Sequence, residues 1–213
     1  MNGALGGDSK REGIILILSA PSGTGKTTLI NGLLGVFPEL RLSVSYTTRK
    51  RRGDEVAGKD YHFVTARRFA AMQAGGDFAE WAKVHDFLYG TPRRTLDQCV
   101  KSGRDVLLDI DVQGAQKIKK SYPQAVAIFL LPPSRQELKR RLASRGTEGP
   151  KIIKRRLANA EREFEAILGY DYYVVNRAVK KALAQLTAIV EAERLKVARV
   201  TEWRIGPLRD RNG

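Results

Sequence analysis

Ile14-Ile-Leu-Ile-Leu18 followed by Ala20-Pro21-Ser22-Gly23-Thr24-Gly25-Lys26-Thr27-Thr28 is the stretch that decides the fold. The apolar run is short enough for a buried strand. The residues from about 26 to 35 read as a helix, so glycines sit between a strand and a helix that opens on Lys-Thr. That order builds an anion cradle: Gly23 and Gly25 let the backbone turn its N–H groups inward, and the helix start adds its own unpaired N–H groups. Lys26 brings a cation for the β- and γ-phosphates and the Thr27 hydroxyl suits Mg²⁺. Residues 20–28 and Lys26 are thus the candidate ATP site, with Ala20 in place of the usual first glycine.

Working outward, apolar strands alternate with amphipathic helices. Strands are expected at 14–19, 105–110, 125–131 and 172–175, with helices at 26–35, 92–101, 113–119, 134–144, 151–167 and 178–198. Ser134 is a candidate N-cap, and Gly146-Thr-Glu-Gly-Pro150 a break. The pattern implies an α/β fold of three layers around a parallel sheet. Residues 41–95 interrupt it as an irregular insertion with β-like pieces near Val44, Tyr61–Val64 and Phe78–His85. No apolar run is long enough to span a bilayer and residues 1–13 hold no hydrophobic segment, so neither a membrane nor a secretory signal is expected. A single cysteine, Cys99, rules out an internal disulfide and fits a reducing cytoplasm.

With 38 Lys and Arg against 23 Asp and Glu, the net charge of +15 calls for acidic partners. Charge alone leaves nucleic acid and small phosphorylated ligands both open. The basic residues are spread rather than continuous, although ten fall between Arg135 and Arg162. The phosphate loop tips the balance toward nucleotides.

Two further segments carry chemistry. Ser43-Val-Ser45-Tyr-Thr-Thr-Arg49-Lys-Arg-Arg52-Gly-Asp-Glu55 crowds hydroxyls, guanidiniums and a carboxylate together, and closely spaced arginines suit a monophosphate dianion. Asp105-Val-Leu-Leu-Asp109-Ile-Asp111 reads as a strand ending in two carboxylates on one face by the period of two. Such acids at the carboxyl end of a parallel strand can hold Mg²⁺ through water and face a nucleotide.

Taken with Gly58-Lys-Asp-Tyr61-His-Phe, Phe78-Ala-Glu80-Trp, Tyr89-Gly-Thr91, Pro132-Pro-Ser and Arg145-Gly-Thr, these motifs make the chain resemble the guanylate kinases, of bacterial type, from about 13 to 199. The resemblance implies Mg²⁺-dependent phosphoryl transfer from ATP to GMP or dGMP, in purine nucleotide metabolism, by a monomer or homodimer. Its partners would be those nucleotides, with no membrane and no specific nucleic acid. It implies a P-loop kinase fold with core 13–40, 92–133 and 170–199, a GMP-binding subdomain 41–91, a helical lid 134–169 and a tail from 200.

By the same resemblance Arg49, Arg52, Tyr61 and Tyr89 clamp the GMP phosphate. Ser45, Glu80, Thr91 and Asp111 read guanine, with Asp109 beside them and, with Thr27, on the metal. Glu55 orients Arg52 or binds nucleotide. Arg141, Arg145 and Arg156 are the lid arginines that join Lys26 and Arg49 in catalysis, and Asn176 lies near adenine. The chain departs from the family at Arg51, where proline is usual, at Asp54 for glycine, at Phe87-Leu88 before Tyr89, and at Arg177-Ala178 after Asn176. Two rivals follow from the same features: a phosphopeptide-binding module of this fold without catalysis, and an RNA binder using the basic surface.

Overall fold

The computed structural model describes residues 10–84, 86–144 and 150–202. In chain order the elements are β1 (Lys10–Arg11), β2 (Ile15–Ser19), α1 (Lys26–Val36), β3 (Arg41–Leu42), β4 (Tyr46–Thr47), β5 (His62–Phe63), α2 (Ala66–Ala74), β6 (Phe78–Val84) and β7 (Phe87–Pro92). They continue with α3 (Arg93–Lys101), β8 (Val106–Asp109), α4 (Val112–Ser121), β9 (Val126–Leu131), α5 (Arg135–Ser144), α6 (Pro150–Glu165), β10 (Tyr172–Val175), α7 (Val179–Arg194) and β11 (Val200–Glu202). Short 3-10 turns cover Ala166–Gly169 and Val197–Arg199.

The run Ile14–Leu18 becomes the middle strand of a parallel five-stranded sheet ordered β10-β9-β2-β8-β3. Both faces of such a sheet are covered by helices, so every residue of β2 must be apolar or internally bonded. Alternation sends Ile14, Leu16 and Leu18 to one face, against Leu29, Ile30 and Leu33 of α1 and Ala182, Leu186 and Val190 of α7. Ile15 and Ile17 face the other way, onto Leu96 and Cys99 of α3 and Ala115 and Ile118 of α4. The three-layer α/β expectation is met. The chain passes from β2 outward to β3 and β8, then crosses back over β2 to β9, so the crevice at the carboxyl ends of β2 and β8 is where this topology binds ligands.

Three expectations change. First, 41–95 is not irregular. Arg41–Leu42 pairs in the core sheet with Val106–Leu107, so the inserted arm starts after it. The arm is a mixed sheet ordered β5-β4-β7-β6 closed by α2, around Phe69, Met72 and Phe78. Thr65 caps α2 by accepting the Arg68 N–H at 3.2 Å. Second, the segment assigned to a tail from 200 opens with a strand: β11 pairs antiparallel with β1. Third, Asp111 lies beyond the strand. β8 stops at Asp109, and Asp111 is the N-cap of α4, accepting the Gly114 N–H at 2.9 Å. Ser134 does cap α5, accepting the Glu137 N–H at 3.1 Å. The expected break at Gly146 falls outside the described residues.

Asp105, 1% exposed, anchors the far end of β8. It takes both Arg11 amino groups at 2.7 and 3.0 Å, the Ile14 N–H at 3.0 Å and Arg194 Nε at 2.7 Å. Burial alone would raise its pKa, but those donors outweigh it and the pKa is lowered.

Candidate active site

The phosphate loop forms where β2 runs into α1. Ser19 Oγ, fully buried, donates to the Ile110 carbonyl at 2.9 Å and ties the ends of β2 and β8 together. Pro21 carbonyl accepts both the Thr24 N–H (3.2 Å) and the Thr24 hydroxyl (2.7 Å), which curls the loop. Gly23 and Gly25 both sit at φ 91°, in the left-handed region that favours glycine. A side chain at Gly25 would also meet Asn176 Nδ2 at 2.7 Å. α1 has no acidic residue in its first turn and no side-chain cap, so its leading N–H groups are left for an anion.

The loop is braced from behind. Asn176, 3% exposed, donates Nδ2 to the Thr24 carbonyl at 2.8 Å. Arg141 of α5 reaches the same carbonyl and the Asn176 carbonyl, each at 3.3 Å. Arg156 of α6 donates to Ser22 Oγ at 2.8 Å. The Asn176 side-chain amide thus braces the loop. Arg141 and Arg156 stand at the phosphate loop, and Arg145 lies outside the described residues. Ala178 is the N-cap of α7 and gives it no side-chain bond.

Across the crevice a cavity of about 230 Å³ is lined by Lys26, Asp109 and Asp111 of the core and by Ser45, Tyr61, Glu80 and Tyr89 of the arm. Glu80, 6% exposed, accepts the Thr91 hydroxyl at 2.6 Å. Desolvation raises its pKa, with the Asp111 charge adding to the rise and Thr91 and Lys117 opposing it. A side chain on Gly114 would lie 3.1 Å from Glu80 Oε2, so the bare start of α4 lets Glu80 approach Asp111's end of the helix. The result is an acceptor-rich wall, built to receive donors.

Arg49, 6% exposed, is held from several sides. Its two amino nitrogens meet the Glu55 carboxylate at 3.0 and 2.6 Å, Nη1 also reaches the Lys50 carbonyl at 2.9 Å, and Nε donates to Tyr89 Oη at 3.2 Å. The guanidinium lies over Tyr61, 5.3 Å from its ring centre. Glu55, above all, holds its pKa above the usual value. Burial pushes Tyr61 up to about 12, so it stays protonated and able to donate near neutral pH. Glu55 therefore orients Arg49. From Arg52 it takes only the backbone N–H, at 2.8 Å, while the Arg52 side chain is exposed at the mouth.

Lys26 is ion-paired with Asp109. Thr27 and Asp109 both line an adjoining cavity of about 280 Å³. Thr28, one residue on, is exposed and lines neither cavity. One hydroxyl and one carboxylate are hard oxygen donors of the type Mg²⁺ takes while keeping waters and phosphate oxygens in its remaining positions. Among the described residues no cluster of three or more His, Cys, Asp or Glu could hold a metal by itself, and no helix is long and apolar enough to cross a membrane.

The family model for guanylate kinase matches residues 12–193, which is most of the chain and includes every residue of the cleft just described. The chain belongs to the guanylate kinase family. It is similar to the guanylate kinase of Geobacter metallireducens, 49% identical over 193 residues that span 91% of this chain and 95% of that one. The guanylate kinase of Anaeromyxobacter dehalogenans is 52% identical over 188 residues, spanning 87% and 83%. The crystal structure of guanylate kinase from Anaplasma phagocytophilum superimposes with a TM-score of 0.76 at 36% identity, over 91% of this chain and 92% of that chain.

Within this guanylate kinase fold one perturbed acid is missing from the motifs. Glu163 of α6 is half-buried, and burial raises its pKa to about 7, with the Lys26 charge opposing the rise and the Asp111 charge adding to it. The sequence held a signal for it: Glu163 lies seven residues after Arg156, on the same helical face.

Proposed function

We propose that this protein transfers the γ-phosphoryl group of ATP to GMP or dGMP, with Mg²⁺, giving ADP and GDP in the cytoplasm. One observation carries the reading: Glu80, bonded to the Thr91 hydroxyl, and Asp111 line a single cavity together with Lys26 of the phosphate loop. Guanine offers N1–H and an exocyclic amine as donors beside the O6 acceptor, so carboxylates next to hydroxyls complement it. Adenine would set its N1 lone pair against Glu80. A site built around such bonds rejects the wrong base by about 10⁴-fold, because its own buried groups are left unpaired.

The phosphates then lie toward Lys26 on one side and Arg49 on the other. Phosphoryl transfer asks the protein mainly for alignment and for neutralising charge on the moving group. Main-chain N–H groups from residue 22 to the first turn of α1 hold the donor phosphates. Lys26 leaves Asp109 for the β/γ oxygens, and Arg141 and Arg156 stand over the loop to meet charge as it builds. Arg49 and Arg52, with the Tyr61 and Tyr89 hydroxyls, fix the acceptor phosphate in line, and Arg49 exchanges part of its bond to Glu55 for that phosphate. Thr27 and Asp109 would hold Mg²⁺, which when bound neutralises phosphate charge. No general base is needed, because the acceptor phosphate is already largely ionised near neutral pH. Closure of α5–α6 and of the arm over both nucleotides keeps water out.

The test is an ADP-release assay with ATP and each of GMP, AMP, CMP and UMP. Turnover with GMP should exceed the others by orders of magnitude. Equal rates across the four would remove the guanine-reading argument.

A further inference from the structure

Two core helices reach into the arm at β6, one on each side of Glu80. From α3, Arg93 donates Nη2 to the Phe78 carbonyl at 3.0 Å and Nε to the Gly76 carbonyl at 3.3 Å, and its main-chain N–H meets the Asp77 carbonyl at 2.8 Å. From α4, Lys117 donates its ammonium to the Trp81 carbonyl and stands over the indole, 5.1 Å from the ring centre. Ala79, between these two anchors, is 7% exposed and belongs to the apolar cluster that includes Ala115 and Ile118 of α4. Arg93 is the residue where β7 runs into α3, so its bonds are part of the chain joint. Lys117 comes from 36 positions away and ties the arm to the core independently of that joint.

The strand needs holding at this point. β6 is the outer strand of the arm sheet and pairs on one side only, with β7. Its register shifts between Phe78 and Glu80, and such an irregularity bends a strand and interrupts its ladder. Lys117 gives the carbonyl just after this irregular step a donor from the core. Three residues earlier on the same side of α4, Gly114 leaves room for the carboxylate itself: a side chain there would lie 3.1 Å from Glu80 Oε2. α4 therefore meets β6 at Glu80 through Gly114 and at the next residue through Lys117. Asp111 caps the same helix. One short helix thus sets the spacing between the two carboxylates that face the base, and Lys117 fastens the strand to it. Burial raises the pKa of Glu80, and the Lys117 charge opposes that rise.

We propose that Lys117 is a positioning residue for base selection: by clipping β6 to α4 it fixes Glu80 at the distance from Asp111 that the guanine edge requires. The inference rests on the reading of this cavity as the GMP site. Lys117 acts through Glu80 rather than on the nucleotide.

The experiment is a double-mutant cycle on kcat/KM for GMP, with the unmodified protein, Lys117→Ala, Glu80→Gln and the double variant. Loss of an ammonium–carbonyl bond and a ring contact at an exposed lysine predicts about a fivefold loss for Lys117→Ala, carried by the KM for GMP, with the KM for ATP unmoved. In the Glu80→Gln background the same change should cost less than about twofold, because the group being positioned is already impaired. Lys117→Arg keeps donor, charge and ring contact and should restore most of the loss. Lys117→Met keeps only the apolar stem and carries the test if the alanine variant does not fold. Amide hydrogen exchange over residues 78–84 should quicken severalfold in Lys117→Ala while α2 keeps its rate. An equal loss in both backgrounds makes Lys117 a residue of general stability and overturns the proposal, and so does unchanged exchange over residues 78–84. Normal use of GMP by Lys117→Ala sinks the clip alone. An unmodified protein that uses GMP no better than the other monophosphates brings down the parent reading, and this one with it.

Discussion

The two halves of the cleft are made of different material. The donor half is backbone: a loop curled by Thr24 and Pro21, two left-handed glycines, and struts from Asn176 and Arg141. Its donors are main-chain N–H groups, fixed when the sheet folds. The acceptor half is side chain: Arg49 spanned by Glu55 and Tyr89, Glu80 bonded to Thr91, and Tyr61 pressed beneath the guanidinium. Main-chain amides at this loop bind anionic oxygens and read no base edge, so the donor half needs no choice of base. Long charged side chains can read an edge, but they must be held, and in this structure they are held by one another. On the proposed reading, the difference assigns base selectivity to the acceptor half and charge neutralisation on ATP to the donor half.

The sharpest way to break that division is Lys26→Ala. Removing the donor-side cation should lower kcat/KM about 10³-fold with every acceptor alike, with little change in the melting temperature. A loss confined to one acceptor would move Lys26 out of the donor half. Next comes Glu80→Gln. It should cost about 10²-fold in kcat/KM for GMP while the KM for ATP stays within about twofold. A defect on the ATP side would dissolve the contrast. Smaller again is Asn176→Ala, which leaves the Thr24 carbonyl with only the longer bond from Arg141. Its KM for ATP should rise about tenfold and that for GMP should hold, with about 1–2 kcal/mol lost on unfolding in denaturant. Unchanged ATP binding would show that the loop needs no strut.

The smallest effect is on stability. Glu163 is half-buried, and burial, opposed by the Lys26 charge and aided by the Asp111 charge, raises its pKa from 4.5 to about 7 in the folded protein. An acid whose folded pKa is raised contributes stability at pH below its unfolded value and loses it as pH rises toward 7. Glu163→Gln removes that titration. Its melting temperature relative to the unmodified protein should therefore climb between about pH 4.5 and 7 and level off above. After discounting for partial exposure the gain is about 1 kcal/mol, or about 3 °C. A constant difference across that range would show that Glu163 is solvated.

The donor half was readable from sequence because its information is local. An apolar strand, glycines and a helix start lie within residues 14–36, and the buried strands announce themselves as runs such as Val126–Leu131. The types of residue in the acceptor half were readable by resemblance, but their pairing was not. Glu55 grips Arg49 rather than the Arg52 side chain, because the turn from Arg52 to Glu55 points the carboxylate back across the loop. Asn176 meets Thr24 across 152 positions of sequence, a contact no spacing rule reaches. α2 gives no clear sequence signal, because its buried residues, Phe69 and Met72, serve a small core of their own and nine residues are too few for a clear period. Strands of two residues, β3 and β1, have no alternation to read. The period of two that would set Asp111 on a strand face ends at Asp109.

The most direct test of the division is a crystal structure with GMP and a non-hydrolysable ATP analogue bound together. The account predicts guanine against Glu80 and Asp111, its phosphate on Arg49 and Arg52, and the γ-phosphate on Lys26 and the amides of residues 22–27, the two phosphates aligned for in-line transfer. A guanine base bound away from Glu80, or both nucleotides competing for the phosphate loop, would contradict it.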